Sequence, residues 1–114
     1  YPVPMTEMLA VLPGVAYAAR GSVADAASIG RTKQYLRRAC EVQLEGRGFA
    51  IVEVISNCPV GWGMTPVESI ERLKEVVALT YRPGVIVDRT KEPAAAGDPG
   101  SRTPAAESAT ATDR

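Results

Sequence analysis

Gly48-Phe49-Ala50-Ile51-Val52-Glu53-Val54-Ile55-Ser56-Asn57-Cys58-Pro59 is the stretch whose reading sets the fold. Phe49–Ile55 is β-branched and nearly continuously apolar, the pattern of a parallel strand covered on both faces. Glu53 is the single charge in that run, so it calls for an ion pair or a facing partner subunit. The pattern then breaks. Residues 56–64, with Pro59, Gly61 and Gly63, read as a loop, and the two glycines permit close backbone approach or unusual φ/ψ.

Working upstream, residues 26–45 read as a long helix. Leu36, Ala39, Cys40, Gln43 and Leu44 recur at i, i+3, i+4, i+7 and i+8, which predicts the packed face and puts Cys40 in the core. Arg37 and Glu41 are spaced to pair at i, i+4. Gly30 predicts an irregular first turn, and Gly46 and Gly48 predict the positive-φ stop. Residues 22–25 form a turn, and Val15–Arg20, short and small, fits a buried strand. Strand, helix, strand is a βαβ unit with parallel strands. Two strands are too few for a stable sheet, so the isolated chain is expected to be unstable or to aggregate. At the start, Thr6–Leu12 reads as a short helix capped by Thr6, with Met8, Leu9 and Leu12 on one side and Pro13-Gly14 ending it.

Downstream, Thr65-Pro66-Val67-Glu68 carries a capping box with Pro at the first helical position. Ile70, Leu73 and Val77 continue an apolar face to about Leu79, and Val85–Val87 predicts a short edge segment after a turn. Residues 89–114 contain no Val, Ile, Leu, Phe, Met, Trp or Tyr. Such a segment cannot bury enough apolar surface to offset its ordering entropy, so the expected organisation is an ordered part, 1–88, and a disordered Ala/Pro/Gly/Ser/Thr-rich tail, 89–114.

Composition removes several chemistries. The chain has 13 basic and 13 acidic residues and zero formal net charge, hence no pull toward nucleic acid or an anionic membrane. It has no histidine, which excludes a His-based nucleophile pair within it. Phosphate-binding glycine motifs are absent from the sequence. Cys40 and Cys58 make no disulfide framework, and the expected location is cytoplasmic. From residues alone, Cys58 fits a small buried residue before a turn-setting proline, a redox thiol, or a metal ligand at the carboxyl end of a strand. Trp62 reads as a loop anchor or a cofactor contact. Arg31, Lys33, Arg37 and Arg38 read as a solvated basic face or an anion site.

The run from Gly48 to Pro59, then Trp62-Gly63-Met64 and Thr65-Pro66-Val67-Glu68, resembles the C-terminal part of the thiamine-diphosphate-binding (beta) subunit of 2-oxoacid:ferredoxin oxidoreductases. Met8-Leu9-Ala10, Pro13-Gly14-Val15-Ala16-Tyr17 and Gln43-Leu44-Glu45-Gly46 add to the likeness, which covers about residues 1–88. Asn57 and Val60-Gly61 depart from the family pattern. The resemblance implies an α/β fold, a partial thiamine-diphosphate-binding fold built on the parallel βαβ unit. It implies CoA-dependent oxidative decarboxylation of a 2-oxoacid by a complete enzyme holding thiamine diphosphate, Mg2+ and a 4Fe–4S cluster. It also implies other subunits (alpha, with gamma or delta) and ferredoxin as partners, and an isolated chain that is inactive. Cys58 would be the distal cluster ligand. The other cluster ligands and the diphosphate-binding element belong to polypeptide outside these residues. A non-catalytic docking module and a small thiol-redox domain are the alternatives.

Overall fold

The computed structural model describes residues 2–91. The strand Val15–Ser22 (β1) is buried along its whole length, and its alternation organises the layers. Tyr17 and Ala19 face the long helix Ala26–Leu44 (α2) and pack on Val42, with Tyr35, Ala39, Ala50 and Val52 around them. Ala18 points the other way, with Val15, toward Ala10 of the N-terminal helix Met5–Ala10 (α1) and toward Ile51, Ile86 and Val87. Alanines suit a strand covered on both sides, because small side chains let helix backbones come close. Gly21 shows how close: a Cβ there would lie 2.4 Å from Thr32 Oγ1 of α2. In the gap, Thr32 Oγ1 accepts the Ser22 N–H at 2.9 Å. Its own proton is shared between the Ser22 and Ser28 carbonyls, at 3.0 and 2.9 Å.

The sheet has three strands in the order β2-β1-β3. Phe49–Ile55 (β2) runs parallel to β1, aligning Ala18 with Ile51, Arg20 with Glu53 and Ser22 with Ile55. The βαβ reading and its parallel pair therefore hold. Gly84–Asp88 (β3) is the expected edge segment, and it pairs with β1 antiparallel, so the sheet is mixed. The expectation for β2 is met in part: Ala50 and Val52 pack toward α2 and Ile51 toward the opposite layer, but the strand is only half-buried and, among the described residues, lies at the edge of the sheet, with Phe49 54% exposed.

The inward face of α2 also differs from expectation. Thr32, Tyr35, Ala39 and Val42 meet the sheet, while Leu36, Cys40 and Leu44 are exposed. Cys40 is therefore not a core residue. The alanine-lined surface of β1 accepts an aromatic ring and a valine, and the leucine stripe overhangs the β2 edge. Gly30 does not interrupt α2, which Asp25 caps by accepting the Ser28 N–H at 2.7 Å. The ion pair on the outer face joins Arg38 to Glu41 at 3.4 Å rather than Arg37 to Glu41. Gly46 and Gly48 have φ of 63° and 131° and end the helix as predicted.

α1 starts at Met5, so Thr6 lies inside the helix and is not its cap. Its hydroxyl serves Glu53 instead. Arg89 closes the other end of α1, donating to the carbonyls of Ala10 at 2.8 Å, Leu12 at 3.0 Å and Val15 at 2.5 Å. Ala10, the last residue of α1, has one of the carbonyls a helix C-terminus leaves without an intrahelical partner, and Leu12 and Val15 belong to the turn and strand that follow. Arg89–Lys91 forms a 3-10 turn, so the expected tail contributes these three residues to the fold. The remainder of that expectation, residues 92–114, lies outside the described residues.

Candidate functional site

β2 ends at Ile55 beside Ser22 of β1, so the loop that follows sits at the carboxyl edge of the parallel pair. Residues 56–64 contain a helical turn that the sequence reading missed, Pro59–Trp62 (α3). Cys58 is its N-cap, and Pro59 provides the fixed φ of a first helical position. Trp62 N–H donates to the Cys58 carbonyl at 3.0 Å. Gly63 follows in the left-handed region at φ 63°, closing the turn.

The Cys58 thiol is free and exposed, which corrects the buried reading. It lies over Gly61, where a Cβ would come 2.8 Å from Sγ. A side chain at Gly61 would turn the thiol out of this position, and this is the close approach its residue type predicts. Asn57 ties the loop down through Nδ2, which donates to Ser69 Oγ at 2.8 Å. Ser69 belongs to the helix Pro66–Arg72 (α4), whose start carries the predicted capping box between Thr65 and Glu68. A π-helical stretch, Leu73–Val77, and a last turn, Ala78–Thr80, continue it. Trp62 is a loop anchor: the Arg72 guanidinium lies 5.7 Å from the centre of its ring, in cation–π range.

A second cluster was not visible in the sequence. Arg20 is only 1% exposed. Its Nε donates to Glu53 at 2.6 Å, and Nη1 and Nη2 donate to the two Glu7 oxygens at 2.7 and 2.5 Å. Thr6 donates to the same Glu53 oxygen at 2.5 Å. The Tyr81 ring centre lies 5.3 Å from the guanidinium. Hydrogen bonds from Arg20 hold the Glu7 carboxyl below its ordinary range. Those bonds, chiefly the Glu7 pair, raise the Arg20 pKa against the opposing effect of burial. Every donor of this arginine that bonds here meets a carboxylate, so the cluster fastens α1 to the sheet. The ion pair foreseen for Glu53 is this one. The available signal was a lone charge in each of two strands that pair in register.

The structure does not gather the remaining candidates. Arg31 bonds Ser28 and Arg38 bonds Glu41 and Thr90, so the basic residues of α2 do not converge on one site. Among the described residues, no group of three or more His, Cys, Asp or Glu could hold a metal ion. The residues present therefore fit a shared cluster only as donors of one thiolate, Cys58. They do not fit a Mg2+–diphosphate site, which needs gathered oxygen ligands. Among the described residues, no helix is long and apolar enough to cross a membrane.

Comparison with known proteins adds a relationship. A stretch of 93 residues, 81% of the chain, is 38% identical to the ketoisovalerate oxidoreductase subunit VorA of Methanothermobacter marburgensis. The chain is similar to part of an oxidoreductase subunit. Over 59 residues, 52% of the chain, it is 42% identical to the subunit of the same name from Methanothermobacter thermautotrophicus. The matched stretches span 19% and 12% of those subunits, so the chain corresponds to about a fifth of its relatives or less. No family model matches the chain, and no solved structure does. The relatives' name agrees with the 2-oxoacid oxidoreductase class of the resemblance drawn from the β2–Cys58 run and does not say which subunit binds thiamine diphosphate.

Proposed function

We propose that this chain is part of the thiamine-diphosphate subunit of a 2-oxoacid:ferredoxin oxidoreductase and supplies one cluster ligand, Cys58. In the complete enzyme a 2-oxoacid anion, coenzyme A and two oxidised ferredoxins would give acyl-CoA, carbon dioxide, two reduced ferredoxins and a proton. Ketoisovalerate, the substrate in the relatives' name, belongs to that class. The observation that carries the reading is the exposed Cys58 thiol at the carboxyl edge of the parallel pair, within a chain 38% identical to VorA over most of its length.

A bound 4Fe–4S cluster supplies one-electron carriage, and it is held by thiolates. The chain's own part is positional. Cys58 would give up its proton and present Sγ outward. Gly61 leaves the space that Sγ occupies, Pro59 stiffens the turn beneath it, and Asn57 and Trp62 fix the loop to α4. No diphosphate or magnesium contact is assigned to these residues.

The test is Cys58→Ser in the complete subunit assembled with its partners. Iron per complex and the low-temperature EPR signal of the reduced enzyme are measured. We expect iron to fall by about one cluster's worth and the corresponding signal to disappear, with the assembly intact on size exclusion. Unchanged iron and spectrum would sink the assignment and leave the docking-module reading.

A further inference from the structure

Residues 66–80 form one continuous helical arm: α4, the π-helical stretch and the last turn. Three of its side chains are fastened to the rest of the fold. Ser69 Oγ accepts from Asn57 Nδ2, beside Cys58, at 2.8 Å, and Leu73 is fully buried. Tyr81, which ends the arm, lays its ring 5.3 Å from the Arg20 guanidinium. An unbroken α-helix would not put all three on one face. From residue 69 to residue 81, at about 100° per residue, it would turn to about 120° off the starting face. The π-helical stretch cancels most of that drift. The Ala78 N–H donates to the Leu73 carbonyl, five residues back, which takes one residue out of the helical count. Tyr81 then lies within about 20° of Ser69 around the axis.

We propose that Tyr81 is a positioning residue for Cys58, acting through this arm; the inference rests on the reading of Cys58 as a cluster ligand. The line of contact is continuous. Arg20 is itself held by Glu7 and Glu53, so Tyr81 has a fixed seat in cation–π range. The Tyr81 N–H closes the last turn on the Val77 carbonyl at 2.8 Å. Toward the start of the arm, Ser69 holds Asn57, the residue before Cys58. The thiol loop thus hangs between two fastenings. One is the end of β2, where the Ile55 carbonyl accepts the Val23 N–H at 3.2 Å. The other is the arm. Without the Tyr81 ring the arm loses its far attachment and is free to tilt about Leu73, carrying Asn57 and α3 with it. A tilt of that support turns the Cys58 sulfur and changes the bonding around it, which tunes a metal centre. The π-turn is the feature that lets this sequence reach Arg20 and Asn57 from one helix face.

Tyr81→Ala, Tyr81→Phe and a deletion of Val76, an exposed residue of the π-helical stretch, are made in the complete subunit assembled with its partners. Amide exchange is followed peptide by peptide, and EPR is recorded on the reduced enzyme. The N–H groups of Trp62, Gly63 and Met64 close α3. In Tyr81→Ala they should exchange at least about tenfold faster, and the g-values of the cluster signal that depends on Cys58 should shift. Iron per complex and exchange across Val15–Ser22 should stay as in wild type. Tyr81→Phe keeps the ring and should match wild type in both readouts. Deleting Val76 leaves a regular helix with Tyr81 in the same phase, so it should match as well. Unchanged exchange in α3 of Tyr81→Ala would overturn the proposal. So would faster exchange that spreads to Val15–Ser22, since that marks general loosening. An unaltered signal beside a loosened α3 would break the link to Cys58, and a Val76 deletion that behaves like Tyr81→Ala would overturn the phase argument. The exchange measurement needs no iron. If Cys58→Ser leaves iron unchanged, the cluster reading falls while the coupling of Tyr81 to α3 is still decided by the amides.

Discussion

Gly21→Ala should be among the most damaging small substitutions in the chain, and Thr32→Ala should repair much of it. The new Cβ would meet Thr32 Oγ1 at 2.4 Å, Cγ2 at 2.6 Å and Cβ at 2.9 Å. None of these atoms can swing clear, because Thr32 is buried and its hydroxyl bonds the Ser22 backbone. The helix must move off the sheet. Overpacking of this kind costs about 1–3 kcal/mol. Pulling Thr32 from the buried Ser22 N–H adds about 1–3 kcal/mol, so a total of about 3 kcal/mol is expected. Thr32→Ala alone loses that acceptor and should cost about 1–2 kcal/mol. In the double variant the two closest atoms are gone, and its cost should exceed that of Thr32→Ala by only about 1 kcal/mol, a coupling near 2 kcal/mol. Equilibrium urea unfolding, followed by far-UV circular dichroism with trimethylamine oxide added to secure the folded baseline, measures all four corners of the cycle. If the two single costs add within about 0.5 kcal/mol, the close approach of β1 and α2 is not the cause of the damage.

Acid should weaken the fold partly through Glu7. Its folded pKa lies below the ordinary 4.5, because Arg20 donates to the carboxylate. The stabilisation is therefore complete above the ordinary value and is lost as pH falls through it toward the folded one. Asp25, Glu68 and Asp88 are also held low, so the comparison of wild type with Glu7→Gln isolates the effect. Between pH 6 and pH 3 the urea midpoint of Glu7→Gln should fall less, and parallel falls would refute the role given to Arg20. Thr65→Ala removes the cap of α4 and should cost about 1 kcal/mol, seen as faster amide exchange confined to Pro66–Arg72 and the Asn57 loop it anchors. Exchange unchanged in α4 would argue against the capping box.

The elements legible in the sequence were those fixed by local chemistry. β2 followed from β-branched residues, the start of α4 from Thr65, Pro66 and Glu68, and the end of α2 from Gly46 and Gly48. What the sequence hid depended on register. Arg20 and Glu53 meet because β1 and β2 align them, and neither residue alone announces the other. The same holds for Thr6, which leaves its expected capping role to donate to Glu53. The inward face of α2 differs because hydrophobicity favours Leu36 and Leu44, whereas the alanine surface of β1 takes Tyr35, Ala39 and Val42. For the candidate site, residue type and position pointed to Cys58 and its glycines. Its exposure, the α3 turn beneath it and the bond from Asn57 to Ser69 required coordinates.

Arg89 works as a clasp between the last and the first described elements, reaching carbonyls as far back as Ala10. The backbone is therefore pinned at Arg89, two residues before the described part ends, beside the C-terminal end of α1. Thr90, the next residue, is held in turn by Arg38 of α2 and by Arg47 just past its end, so the same short turn is fastened to both helices. Removing residues 89–91 would therefore release α1 and α2 together, one short turn serving as the common tether of two helices on opposite layers of the sheet.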